Sequence, residues 1–220
     1  MIFLSYIIDT NTPTYGNRNK FEILKKSDIS KGDVANDSHI STTVHIGTHI
    51  DMPYHFYENG QTIDSYEADF WLFKKPLILE IAQEELIINE KLIEKLQLIE
   101  DEDFDILIVK TGLCNKIESK DYWENNYGFH PEVYNMISEK FKSIRVLGFD
   151  SISVSSFQER MLGREAHKSF LNPQHPILLL EDMDLTNITE KTKFKEVIIA
   201  PMRIRDSDGL PCTVFGKLDD

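Results

Sequence analysis

His45-Ile46-Gly47-Thr48-His49-Ile50-Asp51-Met52-Pro53-Tyr54-His55 is the stretch whose reading decides the fold, and it holds three of the seven histidines of the chain. In an extended segment side chains alternate, so residues two apart share a face. One face carries His45, Gly47, His49, Asp51, Pro53 and His55; the other carries Ile46, Thr48, Ile50, Met52, Tyr54 and Phe56. One side is suited to packing and the other to chemistry. A helix fits worse. His45 and His49 would share a helical face, but Ile46 stands where the H-E-x-x-H motif of zinc proteases needs its glutamate. Gly47 and Pro53 also disfavour a helix interior. A straight strand would put His45 and His49 about 13 Å apart at ~3.3 Å per residue, too far for one ion with ligand bonds of about 2 Å. The chain is therefore expected to bend at Gly47. Pro53, which has no N–H, is expected to end strand pairing.

Neutral imidazoles and a carboxylate suit zinc or a similar divalent ion. Three protein ligands would leave one position open to water, which is the catalytic pattern. The competing reading is a strand whose histidines only make hydrogen bonds. Four groups in phase, punctuated by Gly47 and Pro53, favour the metal.

Outward from this stretch, the β-branched run from Ser38 to Ile50 reads as the strand that carries it. Asn59-Gly60 is a turn, and the aromatic-rich 64–73 segment reads as a short helix over the site. Further strands are expected at 2–8, 21–24, 76–81, 104–110, 144–149, 176–180, 197–200 and 212–215. The last two are separated by the turn Asp208-Gly209. Helices are expected at 90–98, at 131–140 with Pro131 in its first turn, and at 156–171, which carries His167. Asp101-Glu102-Asp103 reads as surface loop. Strands alternate with helices in the middle and dominate the ends, which predicts an α/β domain with a mixed sheet rather than a doubly wound one.

The 220 residues suit a single domain, 1–220, and 41% apolar with 28% charged content is that of a globular protein. The net charge of −13 argues against nucleic acid or an anionic membrane as partner; a small-molecule substrate is expected. Cys114 and Cys212 form no motif and read as idle thiols. The opening apolar run lacks a basic flank and is cut short by Asp9, and no run approaches the roughly 20 apolar residues of a membrane helix. A soluble cytoplasmic protein is expected.

The pattern His45-x-Gly47-Thr48-His49-x-Asp51-x-Pro53-x-His55 resembles the H-x-G-T-H-x-D-x-P-x-H signature of the metal-dependent cyclase superfamily, which includes bacterial kynurenine formamidases and isatin hydrolases. Thr111-Gly112 with Tyr122-Trp123, the run Gly148-Phe149-Asp150-Ser151-Ile152-Ser153, and Asp208-Gly209-Leu210-Pro211 resemble other segments of that family, so the likeness spans the chain. The resemblance implies a swivelling β/β/α fold and a homodimer or homotetramer. It implies that His45, His49 and Asp51 bind one divalent ion, zinc first and manganese second. Asp51 would bridge to a second ion held by His167 and Glu181, and His55 would be the acid/base group rather than a ligand. The implied activity is a metal-dependent amidohydrolase acting through activated water. An arylformamidase that converts N-formylkynurenine to kynurenine and formate, in tryptophan catabolism, comes first. A hydrolase of a cyclic amide or lactone is the alternative, and a non-catalytic metal-binding module the last. Tyr15, Phe56, Tyr57, Phe70 and Trp71 are candidates to line an aromatic pocket. The loop 13–17 departs from the family's Pro-Gly-Asp. His39 and His130 read as structural and His175 as exposed.

Overall fold

The chain is organised by three apolar strands that run side by side through the core. The computed structural model describes residues 1–219. In chain order its strands are β1 (Ile2–Phe3), β2 (Glu22–Ser27), β3 (Asp37–Ser41), β4 (His49–Asp51), β5 (Leu72–Phe73), β6 (Pro76–Glu80), β7 (Ile87–Ile88), β8 (Ile106–Lys110), β9 (Gly128–Phe129), β10 (Val146–Phe149), β11 (Leu178–Glu181), β12 (Phe194–Pro201) and β13 (Gly209–Leu218). Its helices are α1 (Glu90–Leu98), α2 (Asp121–Glu124), α3 (Pro131–Lys140) and α4 (Arg160–Phe170). Every residue of β8, β10 and β11 is buried, as continuous apolar runs in a covered parallel sheet should be.

β6, β8, β10 and β11 are parallel neighbours. β4 then pairs antiparallel with β11 on one side and with β13 on the other. β13 continues antiparallel into β12, and β12 into β5, while β1 adds to β13, giving a nine-stranded mixed sheet. The three residues of β4 are thus the seam between a parallel and an antiparallel half, and the α/β class with a mixed sheet is as expected. The helices pack by spaced apolar residues: Leu92 and Leu96 in α1, Val133 and Ile137 in α3, and Gly163, Ala166, His167 and Phe170 in α4 are buried. His130 has a structural role, its Nδ1 accepting from the Glu132 N–H at the start of α3. His39 lies exposed on β3 and His175 is exposed.

Four expectations need correction. The strand expected over 2–8 is only the two-residue β1, Ile2–Phe3. The strand expected over 38–50 is broken: β3 ends at Ser41, and residues 44–48 bend before β4 begins. The 64–73 segment is not a helix over the site but two short 3-10 turns, Ile63–Ser65 and Ala68–Trp71, followed by β5. Its Phe70 and Trp71 join the core, with the Arg145 guanidinium 5.3 Å from the Phe70 ring. Tyr66, Phe70 and Phe73 do have the i, i+4, i+7 spacing of a helix, but Leu72 and Phe73 pair with β12, and that sheet contact overrides the local period. Gly209 belongs to β13 rather than to a turn.

β2 and β3 form a hairpin apart from the main sheet. Ile23 pairs with Ile40 and so shares a face with it, yet they are 53% and 56% exposed. Leu24 on the other face is also exposed. Among the described residues no helix is long and apolar enough to cross a membrane.

Candidate metal centre

The bend at Gly47 brings the alternating polar groups to one point. Gly47 has φ +55, in the left-handed region that a side chain resists. A Cβ there would also lie 2.8 Å from Ile8 Cγ1. Gly47→Ala should therefore destabilise the fold by about 1–3 kcal/mol from backbone strain, read as a lower Tm. Pro53 opens a 3-10 turn, Pro53–His55, which swings His55 back over the strand it follows.

Asp51 is at the centre. Its Oδ1 lies 2.8 Å from His45 Nδ1 and 3.4 Å from His49 Nε2, and its Oδ2 lies 3.5 Å from His167 Nε2. Glu181, the last residue of β11, presents Oε2 at 3.3 Å from His49 Nε2 and Oε1 at 3.7 Å from His167 Nε2. Two atoms bound to one ion at about 2.1 Å with tetrahedral angles lie about 3.4 Å apart, so four of these five separations fit shared coordination. The shorter His45 contact is a hydrogen bond in this geometry. The two oxygens of Asp51 face different imidazoles, as a bridging carboxylate would. His45, Asp51 and His55 also lie close enough to form one donor group, and His49, Asp51 and Glu181 another.

The supporting contacts aim these rings. His49 Nδ1 donates to Gly47 O at 2.8 Å and His167 Nδ1 to Gly163 O at 2.9 Å, so in both rings Nε2 turns toward the carboxylates. Phe56 stacks on His167 at 4.6 Å between ring centres. Val154 N–H donates to Glu181 Oε1 at 2.7 Å. A Cβ on Gly209 would meet His45 Cε1 at 2.7 Å and Ile50 O at 2.9 Å, so only glycine lets β13 pass under the His45 ring.

Asp51 and Glu181 are buried, and their only ionic partners among the described residues are His45, His49 and His167. A buried carboxylate without a cation is costly. Burial opposes the charged form of His45, but Asp51 and Asp208 outweigh it and lift the group to about 10. Burial likewise opposes charge on His49 and His167, and Glu181 and Asp51 raise both. The site thus demands positive charge, and its donors are those a divalent ion takes.

The residues line a cavity of about 410 Å³, the size of a small-molecule site. Tyr15 and Phe56 border it, with Pro13 and Thr14 of the atypical loop. Phe70 and Trp71 do not, and the Tyr57 hydroxyl is engaged with Lys168 O at 2.8 Å.

A family described as "Putative cyclase" matches residues 2–156. The chain belongs to the cyclase family. Two curated kynurenine formamidases are similar to it. One, from Bacillus cereus, is 28% identical over 173 residues, 78% of this chain and 75% of the relative. The other, from a second Bacillus cereus strain, is 26% identical over 211 residues, 96% of this chain and 93% of the relative. Among solved structures, isatin hydrolase A from Labrenzia aggregata shares the fold at a TM-score of 0.79 and 17% identity, with 99% of this chain and 93% of that one covered. A predicted metal-dependent hydrolase from Bacillus stearothermophilus does so at 0.75 and 20% identity, covering 98% and 96%.

In this member of the cyclase family two site residues carry no local signal in the sequence. Asp208 accepts from His45 Nε2 and from His55 Nδ1, both at 3.0 Å. Those two imidazoles hold its carboxyl below the usual range. Asp182, with φ +58, lines the cavity beside Glu181, and its Oδ1 accepts from the Tyr122 hydroxyl. Burial pushes this carboxyl up to about 6, against the Tyr122 hydrogen bond. Asp150, in the Gly148–Ser153 run, is instead structural: its carboxylate accepts from the Thr111, Gly112 and Cys114 N–H groups.

Proposed function

We propose that this cyclase-family chain is a metal-dependent amidohydrolase that cleaves an N-formyl aryl amide, N-formylkynurenine foremost. The observation that carries this reading is the pair of buried carboxylates, Asp51 and Glu181, whose only ionic partners among the described residues are imidazoles, at the wall of a substrate-sized cavity. His45, His49 and Asp51 would hold one divalent cation, zinc first and manganese second, and Asp51, His167 and Glu181 another. When bound, such a cation supplies Lewis acidity, lowering the pKa of water and polarising a carbonyl.

His55 handles the proton. A carboxylate only accepts, so the Asp208 contact places hydrogen on His55 Nδ1 and leaves Nε2 for exchange. In the hydrolysis, water oxygen joins the formyl carbon and the C–N bond breaks. An aniline nitrogen leaves poorly as an anion, and Nε2 of protonated His55 delivers the hydrogen it needs. The proton lost by water restores His55, and the products are amine and formate. Tyr15 and Phe56 offer the ring of the substrate an aromatic wall.

The test combines elemental analysis with a panel of formyl amides, cyclic amides and lactones, each with a chelator control. Chelator-sensitive turnover of formyl amides is expected. Turnover of cyclic amides or lactones alone would replace this reading with a ring-opening hydrolase, and metal without any turnover would leave a binding module.

A homodimer is the assembly this reading carries, with a homotetramer built from it. An isolated hairpin is marginally stable in water, and β2–β3 exposes apolar residues on both faces, so a second copy covers it. Light scattering should give at least a dimer for the natural chain and a lower mass for Ile23→Asp with Ile40→Asp. Unchanged masses would reject the arm as the interface. Cys114 and Cys212, buried and free, fit a reducing cytoplasm.

A further inference from the structure

Three of the six arginines, Arg18, Arg160 and Arg164, line the metal-site cavity, and no lysine does. Arginine rather than lysine is the residue that recognises a planar anion through two parallel hydrogen bonds. The hydrolysis chemistry above leaves all three unused. None takes part in any lysine or arginine ion pair among the described residues, in a chain with a net charge of −13. Charges so placed beside many carboxylates, yet unpaired, are available to a ligand.

Their placement is ordered by α4. Arg160, Arg164 and His167 stand at i, i+4 and i+7, one stripe of the helix. At 1.5 Å rise per residue, Arg164 lies about 4.5 Å and Arg160 about 10.5 Å along the axis from His167. His167 is buried and both arginines are exposed, so the stripe runs from the cavity floor to its mouth. Arg160 is held in place: its guanidinium lies 4.0 Å from the Phe157 ring centre, and its Nε donates to Phe157 O at 3.2 Å. Phe157 in turn packs edge-on against Tyr15 at 5.5 Å. Burial raises the Tyr15 hydroxyl, and Arg160, Arg164 and Arg18 all pull it down, so the three cations gather around one wall. Arg164 has only a 3.7 Å contact to Met161 Sδ.

We propose that Arg160 and Arg164, with Arg18 of the same cavity lining, bind a carboxylate that the substrate carries about 5–10 Å from its scissile bond. The substrate class is then an anionic aryl amide rather than a neutral one. This rests on the hydrolase reading for the word substrate, but the binding of the anion can be measured without turnover.

The test uses the full metal-loaded chain and two probes with no amide to cleave, 4-oxo-4-phenylbutanoate and the alcohol 4-hydroxy-1-phenylbutan-1-one. Calorimetry should find the carboxylate bound about tenfold tighter or more, with a preference that shrinks in salt. The preference should vanish in Arg160→Gln with Arg164→Gln and persist in Lys142→Gln, which removes a cation from the turn after α3. Equal binding of the probes, or a preference that survives in the double arginine variant, overturns the proposal; the second outcome would place the carboxylate on the metal. With formamides as substrates, the double variant should raise KM for the anionic one while sparing kcat. If no formamide turns over but the arginine-dependent preference holds, the hydrolase reading fails and the anion site stands.

Discussion

Asp51→Ala is expected to lose bound metal and activity together. This side chain alone reaches three imidazoles, His45 and His49 from one oxygen and His167 from the other. Without it both proposed ligand sets fall to two donors, fewer than the three protein ligands a catalytic zinc needs. The loss in kcat/KM should be at least about 10³-fold, since a bound cation would lower the pKa of its water far below that of bulk water, to about 7. Asp51→Asn separates charge from packing, because it fills the same volume with no anion. It should also lose metal, and its Tm should no longer rise on metal addition, since binding energy stabilises only a fold that binds. A full complement of metal in either variant, by elemental analysis, would reject the bridging assignment.

The second large effect is at His55. Removing a general acid costs typically 10²–10⁴-fold in rate, and His55→Ala should show a fall in kcat of about that size with its metal content intact. The pairing of results matters because His45, Asp51 and His55 lie within mutual reach of a common ion. Lost metal in His55→Ala would make this residue a ligand. Normal turnover would end its acid role. Asp208→Asn tests the same chain of contacts from outside. An amide can offer His55 Nδ1 either its oxygen or its nitrogen, so ring orientation is no longer fixed and an intermediate loss is expected, with metal retained.

The sequence carried the bend at Gly47, the stop at Pro53 and the alternation that puts His45, His49, Asp51 and His55 together, because each is set by local backbone chemistry. Helices 90–98 and 131–140 were legible for the same reason: leucine or valine and isoleucine at i, i+4 face the core, and Pro131 marks a first turn. His167 and Glu181 were legible only by resemblance, since nothing near either residue marks it. Asp208 escaped altogether as a site residue. An aspartate in a polar turn looks like any other until β13 pairs with β4. The failed helix at 64–73 shows the opposite case: Tyr66, Phe70 and Phe73 have helical spacing, but the pairing of Leu72 and Phe73 with β12, invisible locally, decides the conformation.

The position of β4 has a consequence for biosynthesis. His45 and Asp208 meet across 163 positions of chain, and both neighbours of β4, β11 and β13, leave the ribosome long after it. Until those later segments are made, Asp51 is beside the early histidines, but Glu181, Asp208 and the sheet that holds β4 are not. Domains generally fold as units, so a cation site built on these residues is complete only once β13 has emerged, and metal supplied before then would find part of its donors missing.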